Sequence, residues 1–443
     1  MNPDQLHTCT LRAHPRGEAI SRILAAAIDA VEPGKAVSRF ISINEASLSV
    51  AGNPIEVKGK IVILGIGKAA VAMTSQVAGI LGQRLYRGLV VTKHKQEYFI
   101  PKVEIFEGGH PLPDERSLAA GKKVEELAAP LGADDLLICL ISGGGSALMT
   151  SPVDGVSLED LQSLTSSLLE CGARIDEINI LRRQLDRLKG GGLAQMANPA
   201  KVVSLILSDV VGNPLETIAS GLTTPDPTTA ADALAVLKKY NLSKKTPGKI
   251  LEVLRRNSKA EQSPSLTDVQ NIIVGSNLTA AQAALRQAEE EGFNPYLLRT
   301  DLQGEAREAA RDLSIQLRWA WKMGDPVPRP ACIVAGGETT VTVHADGRGG
   351  RNTELALAAV SELADFPDVM VVTLATDGED GATDAAGAVV TGDTWRSGIE
   401  LDMNSSEFLN RNDSYTYFNA LDDLLKPGPT GTNVNDLTFL FSF

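Results

Sequence analysis

The chain has 443 residues, 43% of them hydrophobic and 22% charged, so it can bury a sizeable core and is long enough for two or three domains at roughly 150 residues each. Its formal net charge of −13 argues against nucleic acid or an anionic membrane as a partner, because both bind basic surfaces, but permits a small anionic substrate in a locally basic site. No run approaches the ~18 apolar residues of a membrane span, and the N-terminal residues lack the apolar core of a secretory signal, so we expect a cytoplasmic protein.

The first half of the chain alternates short apolar runs with longer helical patterns. Residues 17–31 carry apolar side chains at helical spacing. Strands are predicted at 60–67, 87–94, 135–142 and 200–210. Strands this uniformly apolar are covered on both faces, which is typical of a parallel sheet. We therefore predict a Rossmann-like α/β domain over residues 1–240.

A polar segment at residues 241–269 interrupts this alternation and contains no strand-like run, so we predict that it joins two domains. A second αβ series follows. Its predicted strands lie at 270–277, 294–300, 330–338 and 368–378, with a β-ribbon at 339–350. The pattern predicts a smaller C-terminal α/β domain over residues 270–443 and a cleft between the two domains.

The first motif is Gly65-Ile66-Gly67-Lys68, which follows a predicted strand and opens a helix, as in the dinucleotide pattern G-x-G-x-x-A. That pattern also requires an acid at the end of the next strand. The next strand ends in Lys93 and His94 instead, and because such a basic end could accept a 2′-phosphate, NADP stays open as a ligand. Lys68 projects from a glycine turn at a helix N-terminus, where a cation can hold a phosphate or a substrate anion; a plain turn is the alternative.

The second motif ends the strand at 135–142 in Ser142, Gly143, Gly144, Gly145 and Ser146. It does not match the hydrolase pattern G-x-S-x-G. Three glycines followed by a helix direct several backbone N–H groups at one point, where the helix dipole adds positive potential. We predict anion binding at this loop, although a serine helix cap is the structural alternative and both can hold at once.

Basic and acidic side chains follow in the next helix and strand. Arg182 and Lys189, seven residues apart, share one face of a helix whose apolar stripe lies elsewhere, and a solvated basic face is the alternative to ligand binding. Ser208 and Asp209 stand at a strand end, where α/β sheets bind their ligands.

In the second half, Arg348 and Arg351 lie among glycines and are followed by Asn352. An arginine in a glycine loop suits bidentate capture of a carboxylate or phosphate.

A cluster of acids lies at a later strand end, with Asp377, Glu379, Asp380 and Asp384 within eight residues. Such crowding is costly unless a cation or a proton is shared, and Mg²⁺ bound by few carboxylates plus phosphate oxygens fits well. A glycine-rich acidic surface loop is the alternative. Near the end of the chain, polar residues that include Asn433 and Asp436 precede the last strand, which suggests that the tail returns to a site.

In this order the motifs resemble the glycerate 2-kinase family, the type II glycerate kinases, whose C-terminal part is the MOFRL domain. The resemblance covers residues from about 60 to 437. The matching stretches are GIGKAA, LISGGGSALM, LRRQLDRLKGGGLA, SDVVGNPLETIASGLTTPDPTT, GGETTVTV, GGRNTELALAA, TDGEDGATDAAGAVV, NDSYTYFNAL and GPTGTNVNDL.

The resemblance implies ATP-dependent phosphorylation of D-glycerate, giving 2-phosphoglycerate, with Mg²⁺ as cofactor. It implies catalytic roles for Lys68, Arg351 and Asp377: Lys68 neutralises the transferring group, Arg351 holds the glycerate carboxylate or the γ-phosphate, and Asp377 or a neighbour orients Mg²⁺ or accepts the hydroxyl proton. The implied substrate- or phosphate-binding residues are Ser142, Gly143, Gly144, Gly145, Ser146, Lys189, Asp209, Glu338, Asn352 and Asn433. The implied metal ligands are Asp377, Asp380 and Asp436.

Two other functions stay open at this point. Some relatives carry the name hydroxypyruvate reductase, and an NAD(P)H-dependent reductase would use a glycerate-sized pocket of the same kind. A non-catalytic sensor of nucleotides or sugar acids would leave the acidic cluster unused. Neither the hydroxyl that is phosphorylated nor the oligomeric state, including a homo-oligomer, can be read from the residues.

Overall fold

The chain forms two compact units in a computed structural model that describes residues 1–44, 47–94, 98–258 and 266–443. One unit, here called the central unit, contains Pro33–Val274. The other, the terminal unit, combines Met1–Glu32 with Gly275–Phe443. Each contains a six-stranded sheet with helices packed against it, which confirms the predicted class of two α/β domains.

The sheet of the central unit is parallel wherever its register is given, as the apolar strands predicted. Its order is Val103–Glu107, Leu85–Thr92, Ile61–Ile66, Leu136–Ser142, Lys201–Leu207 and Val269–Gly275. A separate three-stranded antiparallel sheet precedes it, formed by Ile41–Asn44, Ser47–Val50 and Asn53–Ile55. The α- and 3₁₀-helices of this unit are Pro33–Ser38, Ala70–Leu81, Gly82–Arg84, Glu115–Ala128, Gly145–Leu148, Leu158–Glu170, Ile175–Leu185, Gly192–Ala197, Ile218–Ser220, Ala230–Lys239 and Gly248–Asn257.

The strand order of this sheet reverses between Ile61–Ile66 and Leu136–Ser142. From the first of these strands the chain continues to Leu85–Thr92 on one side, whereas Leu136–Ser142 lies on the other side and leads on to Lys201–Leu207. The loops that leave the two strands therefore run in opposite directions at the carboxyl edge of the sheet. Open α/β sheets bind ligands at this switch point.

A cluster of four helices, Leu158–Glu170, Ile175–Leu185, Ala230–Lys239 and Gly248–Asn257, has a hydrophobic core of its own. The apolar stripe of the helix Ile175–Leu185 contributes Ile178, Leu181 and Leu185 to it. Glu177 joins two of these helices, because Lys239 Nζ lies 2.7 Å from Glu177 Oε1 and the Tyr240 hydroxyl donates to Glu177 Oε2 at 2.6 Å. This link holds the helix that carries Arg182.

The terminal unit has a mixed sheet in the order Asn294–Leu302, Ala331–Gly337, Asp436–Ser442, Val369–Ala375, Gly387–Thr391 and Leu424–Leu425. The last long strand of the chain lies between two others and is antiparallel to both. The helices are Pro3–Leu6 (3₁₀), Cys9–Ala13, Gly17–Ala30, Asn277–Glu290, Ala306–Met323, Arg351–Leu363, Thr394–Glu400, Ser405–Asn410 and Ser414–Ala420. Across both units, none of the helices in the described ranges is long and apolar enough to cross a membrane.

The domain boundaries differ from the predicted ones at the N-terminus. The sequence pattern predicts residues 1–32 as part of the N-terminal domain, but they belong to the terminal unit. The helix Gly17–Ala30 buries Ile20, Ile23 and Leu24 and packs against Asn277–Glu290, and Arg22 Nε lies 2.6 Å from Glu291 Oε1. Helical periodicity shows that this face is buried, but it does not show which distant helix covers it.

The predicted interdomain segment 241–269 also differs in the structure. It contains the helix Gly248–Asn257, whose Ile250, Val253 and Leu254 belong to the core of the helical cluster, while its residues 259–265 lie outside the described ranges. The strand Val269–Gly275, predicted to open the second domain, is an edge of the first sheet instead. The predicted β-ribbon at 339–350 is absent from this described segment apart from a single bridge between Glu305 and Thr340.

The link through Glu177 predicts a specific dependence of stability on acid. Hydrogen bonds from Lys239 and Tyr240 lower the pKa of Glu177 to about 2, so its contribution is complete above the ordinary glutamate pKa and is lost as the pH falls from about 4.5 towards 2. Because Lys239 is 57% exposed, we expect only about 1 kcal/mol. Glu177→Gln should therefore unfold at lower urea concentration than wild type at pH 6, and the difference should shrink at pH 3.

The matched control is Glu252→Gln, which removes an exposed carboxylate from the neighbouring helix Gly248–Asn257. It should behave like wild type at both pH values. A Glu177→Gln protein whose urea midpoint stays equal to that of wild type at pH 6 would contradict the proposed contribution.

Candidate active site

Two loops meet at the carboxyl edge of the central sheet. The backbone N–H of Lys68 donates to the carbonyl of Gly143 at 3.1 Å, and the N–H of Ala69 donates to Ser142 Oγ at 3.0 Å. The structure thus brings Lys68 and the Ser142–Ser146 loop together. Ser142 is buried and fastens one loop to the other, so its side chain is engaged by the protein itself.

The two glycines of the dinucleotide-like pattern each have a packing role. A Cβ on Gly67, whose φ is +116°, would lie 2.4 Å from the Ser142 carbonyl oxygen. A Cβ on Gly65 would lie 2.4 Å from Thr74 Oγ1 of the following helix. The close approach of loop to loop and of helix to strand therefore accounts for both glycines without a dinucleotide.

Gly144 lies at the centre of a cationic surface. Its φ is +79°, and a Cβ there would lie 3.5 Å from Lys68 Cε and 3.6 Å from His110 Nε2, so the lysine and imidazole side chains both flank it. The helix that follows, Gly145–Leu148, has only four residues. The helix dipole expected to assist anion binding is therefore small. An anion would be attracted here mainly by the N–H groups of the loop and by the nearby cations.

Asp209 reaches the same loop from the strand Lys201–Leu207. A Cβ on Gly143 would lie 1.8 Å from Asp209 Oδ2, so the carboxylate is packed directly against the glycine backbone. Ser146 lies at the other end of the loop, where its Oγ is 3.0 Å from Ser220 Oγ. The predicted binding residues Gly143, Ser146 and Asp209 thus surround one short turn.

Lys189 is placed differently from its predicted role. It is 7% exposed, and its Nζ lies 2.9 Å from Asp186 Oδ2. Burial lowers the pKa of Lys189, and Asp186 opposes that change. Since its charge already has a buried carboxylate partner, Lys189 forms an internal ion pair, and its contact with phosphate stays a prediction.

Four residues near this loop were not singled out as site residues from the sequence: His110, Asn179, Arg182 and Ser220. Asn179 Oδ1 accepts from Arg182 Nη1 at 3.4 Å and lies 3.1 Å from Ser220 Oγ, which continues to Ser146. Ala219 and Ser220 have φ values of 48° and 59°. Two consecutive non-glycine residues in the left-handed region are unusual and mark a constrained segment. The sequence showed Arg182 only as part of a basic helix face.

Several positively charged side chains act on His110. Burial, followed by the charges of Lys68, Lys93 and Arg182, lowers the pKa of the His110 imidazole, which is therefore neutral at pH 7. Lys93 follows the strand Leu85–Thr92, whereas Lys68 and the glycine loop follow the next two strands of the sheet. Three neighbouring strands therefore contribute to this surface. A local cationic surface on an acidic chain is suited to a small anion.

The terminal unit holds Arg351 between two carboxylates. Arg351 Nε and Nη2 lie 2.6 and 3.3 Å from the two oxygens of Asp436, and Nη1 lies 2.6 Å from Glu338 Oε1. Burial raises the pKa of Asp436 to about 6, although Arg351 opposes the change. Antiparallel pairing places Asp436 opposite Gly337, next to Glu338, which explains why these predicted residues meet.

Asp380 caps the helix Arg351–Leu363. Its oxygens accept from the backbone N–H groups of Asn352 at 3.0 Å and Thr353 at 2.7 Å, and from Thr353 Oγ1 at 2.8 Å. Asn352 is buried, and its side chain donates to Asp380 at 3.3 Å. Burial raises the pKa of Asp380, and these backbone donors oppose that change. In this arrangement Asp380 satisfies a helix terminus and is not exposed to a metal ion.

The predicted set of metal ligands is not gathered around one point. Within the described ranges, no group of three His, Cys, Asp or Glu side chains is arranged to hold a metal ion. Asp380 is engaged by a helix and Asp436 by Arg351. Asp377 Oδ1 accepts from the N–H of Glu379, and Asn433 Oδ1 accepts from the N–H of Asn435. Of the three predicted ligands, Asp377 is the half-exposed one.

Comparison with known proteins assigns both units to one family. Two family models match, "Domain of unknown function (DUF4147)" over residues 19–255 and the MOFRL family over residues 331–436. Glycerate 2-kinase of Pyrococcus horikoshii is 38% identical, covering 94% of this chain and 95% of that protein. The crystal structure of glycerate kinase from Thermotoga maritima is similar with a TM-score of 0.87 and 38% identity, covering 95% of this chain and 98% of that one. A protein of Agrobacterium vitis named putative hydroxypyruvate reductase is 37% identical, with 95% and 93% covered.

The capping role of Asp380 predicts a loss of stability on mutation. Asp380→Ala leaves the buried N–H groups of Asn352 and Thr353 without acceptors, and should lower the free energy of unfolding by about 2–4 kcal/mol. Urea denaturation with and without Mg²⁺ measures this directly. Glu379→Ala, which removes the adjacent exposed carboxylate, should change stability by less than about 0.5 kcal/mol. An Asp380→Ala protein as stable as wild type, inactive only at low Mg²⁺, would instead indicate a metal ligand.

Proposed function

This chain belongs to the glycerate 2-kinase family, and we propose that it transfers the γ-phosphate of ATP to D-glycerate to give 2-phosphoglycerate. The proposal is carried by one observation in the central unit. Lys68 and the glycine loop meet at the switch point of a parallel sheet, with a lysine and an imidazole flanking Gly144. Backbone N–H groups and cations without a nucleophile–base pair suit phosphoryl transfer, because that reaction depends on positioning and charge stabilisation.

The roles of the central unit follow from its chemistry. The N–H groups of Gly143, Gly144 and Gly145 would donate hydrogen bonds to phosphate oxygens of ATP. Lys68, which is exposed at the end of its strand, would neutralise the charge that develops on the transferring group. A glycerate hydroxyl oxygen bonds to the γ-phosphorus as the bond from that phosphorus to the bridging oxygen breaks, ADP leaves, and the hydroxyl proton passes to a carboxylate.

The terminal unit would supply that carboxylate and a second cation. Asp377 is the half-exposed acid of its cluster and is our candidate to accept the proton or to hold Mg²⁺. Mg²⁺ needs few protein ligands when phosphate oxygens and water complete its shell, so one carboxylate is compatible with the absence of a three-residue metal cluster among the described residues. Arg351 is held rigidly by Asp436 and Glu338 and would contact the transferring phosphoryl group with its remaining N–H donors.

That both units serve one reaction stays a prediction, and it is supported by what phosphoryl transfer requires. Lys68 and the glycine loop belong to one unit, whereas Arg351 and Asp377 belong to the other. Phosphoryl transfer requires a phosphate cradle, balancing cations and a carboxylate together. Location in the cytoplasm and assembly as a homo-oligomer likewise stay predictions.

Hydroxypyruvate reduction is the alternative function, and the packing of Gly65 and Gly67 disfavours it. Both glycines are required by Ser142 and Thr74, so the pattern that suggested a dinucleotide has a structural cause. At the end of the next strand, the described residues Lys93 and His94 provide no acid for a ribose. A kinase explains the cationic loop, whereas hydride transfer to hydroxypyruvate does not require it.

The function is tested with purified protein, D-glycerate and MgATP in an assay that detects ADP, run beside NADH with hydroxypyruvate. We expect ADP only when glycerate is present and no oxidation of NADH. The ³¹P NMR signal of the product should be split by one proton, because phosphate on the C2 oxygen faces one C–H, whereas phosphate on the C3 oxygen faces two. Oxidation of NADH without ADP would reject the kinase.

Lys68 offers the sharpest variant. Lys68→Ala should lower kcat/KM by about 10²-fold or more, since removal of one transition-state charge partner costs about 2.7–4 kcal/mol. Its melting temperature should not change, because the side chain is exposed in a turn. Lys58→Ala, which removes a lysine paired with Glu56 at the surface, is the control and should retain full activity. Wild-type turnover by Lys68→Ala would show that Lys68 is part of a plain turn and has no catalytic role.

A further inference from the structure

Arg182 is a half-buried cation without an anionic partner in the described structure. Its guanidinium has one hydrogen bond, from Nη1 to Asn179 Oδ1 at 3.4 Å, and no carboxylate is paired with it there. Burial alone lowers the pKa of Arg182, with no acid opposing the change. Removing a charge from water without compensation is costly, so such an arginine is usually completed by an anion that the protein does not itself supply.

The neighbours of Arg182 increase this cost. Its positive charge contributes to lowering the pKa of both His110 and Lys189, so all three groups lie close together. Lys189 has Asp186 as its partner, whereas burial and then cationic neighbours lower the pKa of His110. Arg182 is therefore the cation of this group that lacks a paired carboxylate in the described ranges, which favours an anionic ligand beside it.

A hydrogen-bonded chain connects Arg182 to the glycine loop. It passes from the guanidinium to Asn179, then to Ser220 and then to Ser146, with separations of 3.4, 3.1 and 3.0 Å. Ser220 has a left-handed backbone conformation with φ of 59°, although it is not a glycine and this conformation is strained for it. The chain keeps Arg182 beside the loop that receives phosphate in the proposed function.

The two arginines of the candidate site differ in how they are satisfied. Arg351 already contacts both oxygens of Asp436 and one oxygen of Glu338. Arg182 retains an unused planar fork of donors, which matches the two oxygens of a carboxylate. Glycerate carries one carboxylate adjacent to the carbon of its C2 hydroxyl, so a carboxylate site must lie near the phosphate site.

We propose that Arg182, supported by Asn179 and flanked by His110, binds the carboxylate of glycerate and thereby selects hydroxy acids over neutral polyols. The inference rests on the proposed kinase function and moves the carboxylate contact from Arg351 to Arg182. Asn179 is a positioning residue, because it is buried and holds the guanidinium by its amide oxygen. His110, as a neutral imidazole, can donate to or accept from the substrate hydroxyls without adding charge.

The experiment is steady-state kinetics of Arg182→Met, with glycerate varied at saturating MgATP and ATP varied at saturating glycerate. We expect the KM for glycerate to rise about 10- to 100-fold, the cost of losing a charge-assisted pair, and the KM for ATP to change by less than about twofold. Arg182→Lys should recover only part of the loss, because an ammonium group cannot bind a carboxylate in the same bidentate way. Arg174→Met removes an exposed arginine of the flanking turn and is the matched control.

Stability distinguishes ligand binding from a structural role. Since Arg182 leaves no carboxylate unpaired when it is removed, Arg182→Met should melt at the same temperature as wild type or higher. A melting temperature lowered by several degrees, an unchanged KM for glycerate, or a larger rise in the KM for ATP than for glycerate would each overturn the proposal. The last outcome would identify Arg182 as a phosphate ligand.

Calorimetric titration with D-glycerate separates this inference from the proposed function. If wild type binds glycerate and Arg182→Met does not, Arg182 is the carboxylate ligand whether or not ADP is formed. If wild type forms ADP and Arg182→Met binds glycerate equally well, the kinase stands and the inference fails. If wild type neither binds glycerate nor forms ADP, both are rejected.

Discussion

The contact between two loops at the switch point of the central sheet is the constraint on which the candidate site depends. Parallel pairing of Ile66 with Ile141 brings the two strand ends side by side, and Gly67 then passes so close to Ser142 that no side chain fits between them. The bond from Lys68 to the Gly143 carbonyl fixes the two loops in register. The position of Lys68 and the direction of the glycine N–H groups both follow from this contact.

The two units differ in how their charged side chains are paired. In the terminal unit two buried acids have partners within the protein, since Asp380 caps a helix and Asp436 holds Arg351. In the central unit Lys68 and Arg182 lie near the neutral His110, and Arg182 has no paired carboxylate among the described residues. An acidic chain with a net charge of −13 thus retains one locally positive surface. Acids whose hydrogen bonds are all made within the protein provide rigidity, whereas cations without a paired carboxylate provide affinity for anions.

Much of the fold followed from local patterns. The apolar runs at 60–67, 87–94, 135–142 and 200–210 are strands of one sheet because residues apolar on both faces are stable only between two layers of helices. Loops at the ends of parallel strands collect along one edge, so Lys68, the Gly143–Gly145 loop and Asp209 could be grouped from the sequence. The order of the motifs was also enough to identify the family.

What the sequence by itself determined was therefore the periodic structure, the ends of the central strands and the family, all of which depend on neighbouring residues. Only the tertiary structure decided that residues 1–32 pack against Asn277–Glu290, that the last strand lies between two earlier ones, and that Asp380 faces a helix terminus. It also decided that Lys189 has a carboxylate partner and Arg182 has none among the described residues, although both looked alike on one helix face. The physical reason is that pairing and burial of a charge depend on residues distant along the chain, and no local spacing records them.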